Sequence, residues 1–400
     1  IFGTADFTGA TITNIETLVI HSSVKLKLSD LYSVKTVQFQ GDTAHSIVIT
    51  DEAGVPLSNA LQLAALKSVD ITLFPVGNGT VTVGTGTAMN SADFAAALAT
   101  AVIPAMTAQG DLATVSDSAG VSNTDNVTNI TNVSLSVAGI TAGTTVTVFD
   151  DADNDGVKDA SEAALTGTTT AGTWTGSTTL TEGVHHIRAF VTDANGIRSD
   201  MSPDLAVTVD TTAPTAATFA TVASDDIINI AEKAATVTIT GTNEAGATVT
   251  INGNAATVVG TNWSYNLSSA AITAFGEGPE TLTAVTTDVA GNSTTSTKTI
   301  NVDTVAPTAA TFATVATDDV INIAEKAATV TITGTNEAGA TVTINGNAAT
   351  VVGTNWSYNL SAAAIAAFGE GPETLTAVTT DAAGNAVTST KNITVDTVAP

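Results

Sequence analysis

The stretch Thr236–Leu267, TVTITGTNEAGATVTINGNAATVVGTNWSYNL, decides the fold class of this chain. Apolar and polar residues alternate across Thr236–Thr242, Ala247–Asn252 and Asn262–Leu267, which is the pattern of strands with one buried face. The segments TNEAG and NGN between these runs are rich in residues that form turns. With the runs that follow, about seven short strands are predicted in one unit, which is typical of an immunoglobulin-like β-sandwich.

This unit occurs in tandem copies. The sequence VDTTAP at 209–214 recurs as VDTVAP at 302–307 and 395–400, with a spacing of 93 residues each time. Residues 211–303 and 304–396 differ at ten aligned positions, so we expect two sandwiches produced by duplication. We also expect residues 397–400 to begin a further copy and the chain to be a piece of a longer protein.

A divergent copy is predicted at residues 116–210. EGVHHIRAFVTDANG at Glu182–Gly196 aligns with EGPETLTAVTTDVAG at Glu277–Gly291, and Trp174 takes the place of Trp263. These tryptophans, with Trp356 of the last copy, are the largest apolar side chains of their units. We therefore expect each to anchor a core between two sheets.

The opening residues 1–115 show a different pattern. Short alternating runs such as Val24–Leu31, Val34–Phe39 and Val69–Phe74 recur about every ten to twelve residues. Even spacing without helices predicts a β-solenoid-like or meander domain. A single helix is predicted at Ala92–Ala101, capped by Ser91. The whole chain is thus expected to be all-β.

The charge of the chain excludes several classes of partner. There are 38 acidic and 11 basic residues, a net charge of −27. Nucleic acid and anionic membranes are bound through Lys and Arg clusters, so we expect neither as a partner. Cysteine is absent, and no stretch reaches the roughly 20 apolar residues of a membrane helix. So acidic a chain needs counter-cations to fold compactly.

A calcium loop is predicted in the divergent copy, where DADNDGVKDASE matches the twelve-residue calcium-binding pattern at each diagnostic position. Gly156 stands at position six, where the chain must turn sharply. The flanking strands favour a structural site, and the alternative is an acidic surface turn. The predicted oxygen ligands are Asp151, Asp153, Asp155, the carbonyl of Val157, Asp159 and Glu162.

Further acids are predicted to meet where one sandwich follows another. In this fold the A–B loop, the E–F loop and the exit strand share one end, and the B–C and F–G loops share the other. Acids gathered at such a junction are costly unless a cation bridges them, so calcium is predicted there, with solvated loop acids as the alternative. The junction between the two repeats has Asp225, Asp226, Asp303, Glu337 and Asp381, with Glu232 and Glu277 nearby, and the preceding junction has Asp210, Glu244 and Asp288.

Three sequence elements carry a family resemblance: DDIINIAE at 225–232, TDVAGN at 287–292, and the VDT(T/V)AP exits. With these elements, residues 116–400 resemble the bacterial immunoglobulin-like repeats of giant, RTX-type adhesins secreted by type I systems. The resemblance implies calcium at the linkers, where it stiffens a long stalk. The opening segment, with TNIETLVI at Thr13–Ile20, resembles the β-solenoid stretches of RTX-type surface-layer proteins.

No catalytic motif is found, because GxSxG, HExxH and phosphate-loop sequences are absent. His185 and His186 are adjacent on a predicted strand, so they point to opposite faces and do not easily chelate one metal. We therefore expect a non-enzymatic, secreted structural protein of the bacterial cell surface, an adhesin-type stalk made rigid by calcium. Its expected partners are neighbouring copies, the cell-surface matrix or glycans. The alternatives are a surface-layer or sheath lattice subunit and a glycan-binding module formed by the opening segment.

Overall fold

The computed structural model describes residues 4–7, 15–20, 23–39, 44–51, 53–72, 80–106, 110–113, 116–117 and 124–398. The chain divides into two compact units, residues 1–213 with 288–292, and residues 214–287 with 293–400. Strands predominate in both units. Within the described ranges, every helix is too short or too polar to cross a membrane.

The first unit begins with a parallel β-solenoid. Its strands are β1 (Thr4–Asp6), β2 (Ile15–Ile20), β3 (Ser23–Lys27), β4 (Val34–Phe39), β5 (Ala44–Thr50), β6 (Asp70–Thr72) and β7 (Thr80–Val83). One sheet has the order β1-β3-β5-β7 and the other β2-β4-β6, with parallel neighbours throughout. Val24 pairs with Ile47, which pairs with Val83, and all three are buried. The predicted solenoid is confirmed for the described residues, whereas a meander, which needs antiparallel neighbours, is wrong.

In the described part of this region, the helices α1 (Leu28–Leu31) and α2 (Asn59–Lys67) lie between solenoid strands, and α3 (Ser91–Thr100) follows the last of them. The even strand spacing did not predict α2, which forms from the Ala- and Leu-rich sequence NALQLAALK. The cap of α3 is Asn90 and not Ser91, because the Asn90 side chain accepts a hydrogen bond from the Asp93 N–H at 2.9 Å. Residues 73–79, which include the end of one predicted strand, and residues 13–14 lie outside the described residues.

The divergent copy is a sandwich of two four-stranded sheets. Its strands are β8 (Gly110–Leu112), β9 (Val127–Thr128), β10 (Asn132–Val137), β11 (Thr145–Asp150), β12 (Gly167–Thr170), β13 (Thr173–Thr179), β14 (Gly183–Thr192) and β15 (Leu205–Val209). The sheet orders are β12-β13-β10-β8 and β11-β14-β15-β9. Trp174 lies in the core between them. Since β8 pairs with β10, this sandwich includes residues before 116.

The two repeats of the second unit share one topology. The first has β16 (Ile227–Ile228), α4 (Ile230–Ala234), β17 (Val237–Thr242), β18 (Thr248–Ile251), β19 (Asn254–Ala255), β20 (Thr257–Val259), β21 (Asn262–Leu267), α5 (Ser269–Phe275), β22 (Gly278–Thr287) and β23 (Ser293–Val302). The second has β24 (Val320–Asn322), α6 (Ile323–Ala327), β25 (Val330–Thr335), β26 (Thr341–Ile344), β27 (Asn347–Ala348), β28 (Thr350–Val352), β29 (Asn355–Leu360), α7 (Ala362–Phe368), β30 (Gly371–Thr380) and β31 (Ala386–Asp396). In each, a five-stranded sheet, β16-β23-β22-β18-β19 or β24-β31-β30-β26-β27, faces a three-stranded one, β17-β21-β20 or β25-β29-β28.

The tryptophans anchor the cores of both repeats, as predicted. Trp263 and Trp356 are each 2% exposed, and their rings meet Phe219 and Phe312 edge-on at 5.3 Å between ring centroids. The indole N–H of Trp263 donates to the Thr218 carbonyl oxygen at 3.1 Å, so its polar atom is also satisfied. The short helices α4 to α7 were not predicted from the strand pattern.

Candidate metal sites

The loop Asp151–Glu162 follows β11 and folds back on its own first residue. Asp151 is fully buried, and its Oδ2 accepts a hydrogen bond from the Gly156 N–H at 2.9 Å. Its Oδ1 accepts from the Asp155 N–H at 3.1 Å. Asn154 and Gly156 adopt φ values of 53° and 80°, a left-handed conformation that favours Asn and Gly. The sharp turn predicted at Gly156 is present.

The carboxylates of this loop converge. One ligand oxygen from each of Asp151, Asp153 and Asp155 lies within 4.8 Å of the others. Glu162 reaches across the loop, where Oε1 accepts from the Ala152 N–H and Oε2 from the Asp159 N–H, both at 2.8 Å. The structure therefore assembles positions one, three and five and places the carboxylate of position twelve against the loop backbone.

The electrostatics of the loop favour a bound cation. Burial, followed by the charges of Asp155, Asp153 and Asp151, raises the pKa of Asp159. Burial also raises the pKa of Glu162, against the hydrogen bonds from backbone N–H groups that lower it. Both shifts show that the ionised carboxylates are destabilised where they stand. A cation of high charge removes that cost by pairing with several oxygens at once.

Two basic residues contact the loop, and neither was predicted. Arg188 donates from Nε to Asp151 Oδ2 and from a terminal nitrogen to Asn154 Oδ1, both at 2.7 Å. Lys158 donates from Nζ to the Asp159 carbonyl oxygen at 3.1 Å and to the carbonyl oxygen of Glu162. Arg188 neutralises one carboxylate of five. The atoms of the loop that could bind a metal are all oxygens, and this set fits a hard divalent cation such as calcium.

At the exit of the first repeat, two elements hold the linker residue Thr304. Glu277, after α5, accepts from the Thr304 N–H at 2.7 Å and also from its hydroxyl. Lys233 of α4 donates to the Thr304 hydroxyl oxygen at 3.2 Å. The hydrogen bonds from Thr304 lower the pKa of Glu277. The A–B connection, which contains α4, and the E–F connection, which contains α5, therefore meet the end of the exit strand β23, as the fold predicted.

Asn385, between β30 and β31, links the second repeat to this exit. Its Nδ2 donates to the Asp303 carbonyl oxygen at 2.9 Å and to Asp381 Oδ2 at 3.0 Å. Its Oδ1 accepts from the Ile230 N–H at 2.8 Å, at the start of α4. Asn385 is 3% exposed. The structure thus brings Asp303 and Asp381 together through a neutral side chain that the charge pattern did not reveal.

The B–C loop of the second repeat, which joins β25 to β26, contributes an unsatisfied oxygen. Glu337 accepts from the Thr308 N–H of the linker at 2.6 Å. The neighbouring Asn336 is 7% exposed and donates to the carbonyl oxygens of Glu337 at 2.6 Å and Ala340 at 3.4 Å. Its Oδ1 is buried and accepts no hydrogen bond from any described residue. A buried amide oxygen needs a partner, and a cation or a water meets that need.

The predicted junction acids are not all drawn together. Asp226 pairs with Lys298 at 2.7 Å, which lowers the pKa of Asp226, and Asp225 Oδ1 accepts from the Ile227 N–H at 3.0 Å. Both carboxylates are therefore engaged inside their own sandwich. Among the residues described, only the 151–155 group brings three ligand oxygens within 4.8 Å.

An arrangement like that of Asn385 occurs in the first unit. Asn292 donates from Nδ2 to the Asp210 carbonyl oxygen at 2.8 Å and to Asp288 Oδ2 at 2.9 Å. Asp210 and Asp288 are thus brought together, and Asp288 is 7% exposed. In the second unit, Glu244 accepts from the Thr215 N–H at 2.8 Å, as Glu337 does from Thr308.

Comparison with known proteins gave one family and several structures. Residues 103–211 match the family described as "Bacterial Ig-like domain". No curated protein matches the chain. A bacterial immunoglobulin-like domain from the ice-binding adhesin of M. primoryensis is 31% identical, with 23% of this chain and 100% of that one covered and a TM-score of 0.18. A Ca2+-stabilized adhesin that helps an Antarctic bacterium bind ice is 28% identical, with 68% and 71% covered and a TM-score of 0.36.

Proposed function

Since this chain belongs to the bacterial immunoglobulin-like domain family, we propose that it is a non-enzymatic structural segment of a bacterial surface adhesin, made rigid by calcium. The observation that carries the proposal is the junction built around Asn385. There the buried side chain of Asn385 bonds the exit of one repeat to the next repeat, which suits a chain that must keep its repeats in line.

Calcium is assigned to the loop Asp151–Glu162 and to the junction between the two repeats. In the loop, the carboxylates of Asp151, Asp153, Asp155, Asp159 and Glu162, with the Val157 carbonyl, supply the six or more oxygen ligands that calcium takes, at about 2.3–2.6 Å. A bound ion offsets the burial and mutual repulsion that raise the pKa values of Asp159 and Glu162.

At the junction between the repeats, the residues that would hold the ion are Asp303, Glu337 and Asp381, with Asn336. The buried, unpartnered Oδ1 of Asn336 supports this assignment, because an amide oxygen is an ordinary calcium ligand. Asp225 and Asp226 are left out of the set because their own sandwich engages them.

The test is calcium titration by calorimetry on the whole chain after treatment with chelator. We expect uptake at the loop and at the junction between the two repeats. Asp155→Asn should remove the loop site, whereas Asp200→Asn, an exposed acid of the same sandwich, should bind as the unaltered chain does. Absence of calcium uptake, or normal uptake by Asp155→Asn, contradicts the assignment of the loop.

One observation favours a different surface role. The parallel solenoid of β1 to β7 resembles an element expected of surface-layer proteins. Electron microscopy of the purified chain with calcium separates the two roles. A two-dimensional lattice supports a surface-layer subunit, and isolated particles support the adhesin segment.

A further inference from the structure

A cavity lies where the solenoid and the divergent sandwich pack together, within the first unit. Its volume is about 280 Å³. Tyr32 and Val69 line it from the solenoid, and Lys158, Phe190 and Arg198 line it from the sandwich. The packing around it is direct, because the Tyr32 hydroxyl oxygen accepts a hydrogen bond from the Arg198 backbone N–H at 3.0 Å. The cavity is therefore a built feature of this unit.

Arg198 is a cation held between two aromatic rings. Its Cζ lies 4.3 Å from the ring centroid of Tyr32 and 4.4 Å from that of Phe190. The rings stabilise the charge through their faces, but a ring face does not satisfy the five N–H donors at the guanidinium edge. Arg198 is half-buried, and this burial lowers the pKa of its guanidinium.

The guanidinium of Arg198 lacks an anionic partner among the residues that the structure describes. In this it differs from Arg188, which pairs with Asp151 at 2.7 Å. The difference is notable in a chain with 38 acidic and 11 basic residues, where a carboxylate is easily supplied. An oxyanion stabilises a half-buried guanidinium by pairing with it, and a planar carboxylate matches the guanidinium edge with two parallel hydrogen bonds.

The other residues that line the cavity also suit a carboxylate ligand. Lys158 is a second cation of the lining, and the hydrogen bonds to the carbonyl oxygens of Asp159 and Glu162 use two of its three N–H donors. Asp155 is the acid of the lining, and its Oδ1 accepts from the Val157 N–H at 2.7 Å. Two cations and one carboxylate thus line the cavity directly, while the carboxylates of Glu162 and Asp159 lie close enough to act on Lys158.

We propose that this cavity binds a small organic carboxylate, no larger than a single uronate sugar, with Arg198 as its bidentate partner. The volume suits a ligand of that size, since sites for drug-sized ligands begin at about 300 Å³. The apolar walls formed by Val69, Phe190 and Met201 suit the carbon skeleton of such a ligand. This site deepens the proposed function, because a surface protein with a uronate pocket recognises acidic polysaccharide ends.

The test is calorimetry on the whole chain with D-galacturonate, D-galactose and inorganic phosphate. We expect one galacturonate per chain, no binding of galactose, and phosphate weaker than galacturonate by at least tenfold. Arg198→Gln should raise the Kd for galacturonate at least tenfold. Arg198→Lys keeps the charge but loses the planar, bidentate guanidinium, so its Kd should lie between those of the unaltered chain and Arg198→Gln. Lys298→Gln, which removes a lysine of another sandwich, is the matched control and should leave the Kd unchanged.

Calcium uptake measured on the same samples separates this inference from the proposed function. Loss of galacturonate binding with normal calcium uptake supports the site. If Arg198→Gln fails to fold by circular dichroism, Met201→Phe, which fills the cavity while keeping Arg198, should abolish binding instead. Absence of galacturonate binding, equal binding of galactose or phosphate, or full binding by the folded variants overturns the inference, and Arg198 is then a packing residue alone.

Discussion

Replacing Asn385 with alanine should uncouple the two repeats without unfolding either of them. The side chain of Asn385 makes two short hydrogen bonds that leave its own loop, to the Asp303 carbonyl oxygen at 2.9 Å and from the Ile230 N–H at 2.8 Å, and a longer one to Asp303 Oδ1 at 3.4 Å. Its bond to Asp381 stays within the loop. The variant therefore removes contacts between repeats and leaves both tryptophan cores intact.

The structure sets the size of the effect. One intramolecular hydrogen bond contributes about 0.5–1.5 kcal/mol net, so losing the two short bonds between repeats should cost about 1–3 kcal/mol. The Ile230 N–H belongs to the first turn of α4, where the helix offers it no acceptor, so it loses its only protein partner. Because Asn385 is 3% exposed, water does not readily take its place.

Differential scanning calorimetry at fixed calcium measures this coupling. About 1 kcal/mol corresponds to roughly 4–8 °C for a domain of this size, so the repeats should melt several degrees lower and less cooperatively. Asn347→Ala, an exposed asparagine of β27, is the control and should change stability by less than about 0.5 kcal/mol. If Asn385→Ala melts like this control, the hydrogen bonds do not couple the repeats and the junction is held by other contacts.

Three further outcomes are expected. Gly334→Ala would place a Cβ 1.8 Å from a backbone carbonyl oxygen, so urea unfolding should show a free energy of unfolding lower by about 3 kcal/mol or more. The control Gly346→Ala, where φ is 79° and nothing lies within 4 Å of the new Cβ, should lose about 1 kcal/mol. Equal losses contradict the clash. Lys391 lies 2.5 Å from Asp319 and lowers the pKa of that acid. The ion pair therefore stabilises the fold above the unfolded-state pKa near 4, and this stabilisation is lost as the pH falls through the lower folded-state pKa. Asp319→Asn should thus cost under about 1 kcal/mol at pH 7 and nothing at pH 2, and a loss of stability that persists at pH 2 contradicts this role of the ion pair. Small-angle scattering of the two-repeat fragment should show greater flexibility with chelator or with Asp303→Ala, at unchanged far-ultraviolet circular dichroism; unchanged scattering means that packing alone holds the junction.

The sandwiches were predictable because their information is local. Alternation with period two marks a half-buried strand, and the turn sequences mark where it ends. The same alternation does not say which neighbour a strand pairs with, or in which direction. The pattern of residues 1–115 therefore fitted a solenoid and a meander equally, until the parallel pairing of β3 with β5 decided it. Helices such as α5 escaped notice because seven residues are too few to show a period.

The same division between local and distant information applies to the candidate sites. The ligands of the loop Asp151–Glu162 lie at fixed spacings in one segment, so they were read from the sequence. Arg188 reaches that loop only because β14 pairs with β11, where Arg188 stands opposite Phe149. Asn336 and Asn385 were not predicted because both side chains are neutral, whereas the junction sites were inferred from acidic residues. Buried asparagines in loops next to acids are the signal that finds them.

Each repeat carries both halves of a junction, and this explains how near-identical copies can build a longer chain. The exit half is Glu277 and Lys233 around Thr304, and Glu370 and Lys326 make the same contacts with Thr397 at the exit of the second repeat. The entry half of that repeat is Glu337, Asp381 and Asn385, which meet the linker and α4 of the first. One 93-residue copy therefore supplies one entry and one exit. Duplication of one copy thus lengthens the chain with its junctions complete.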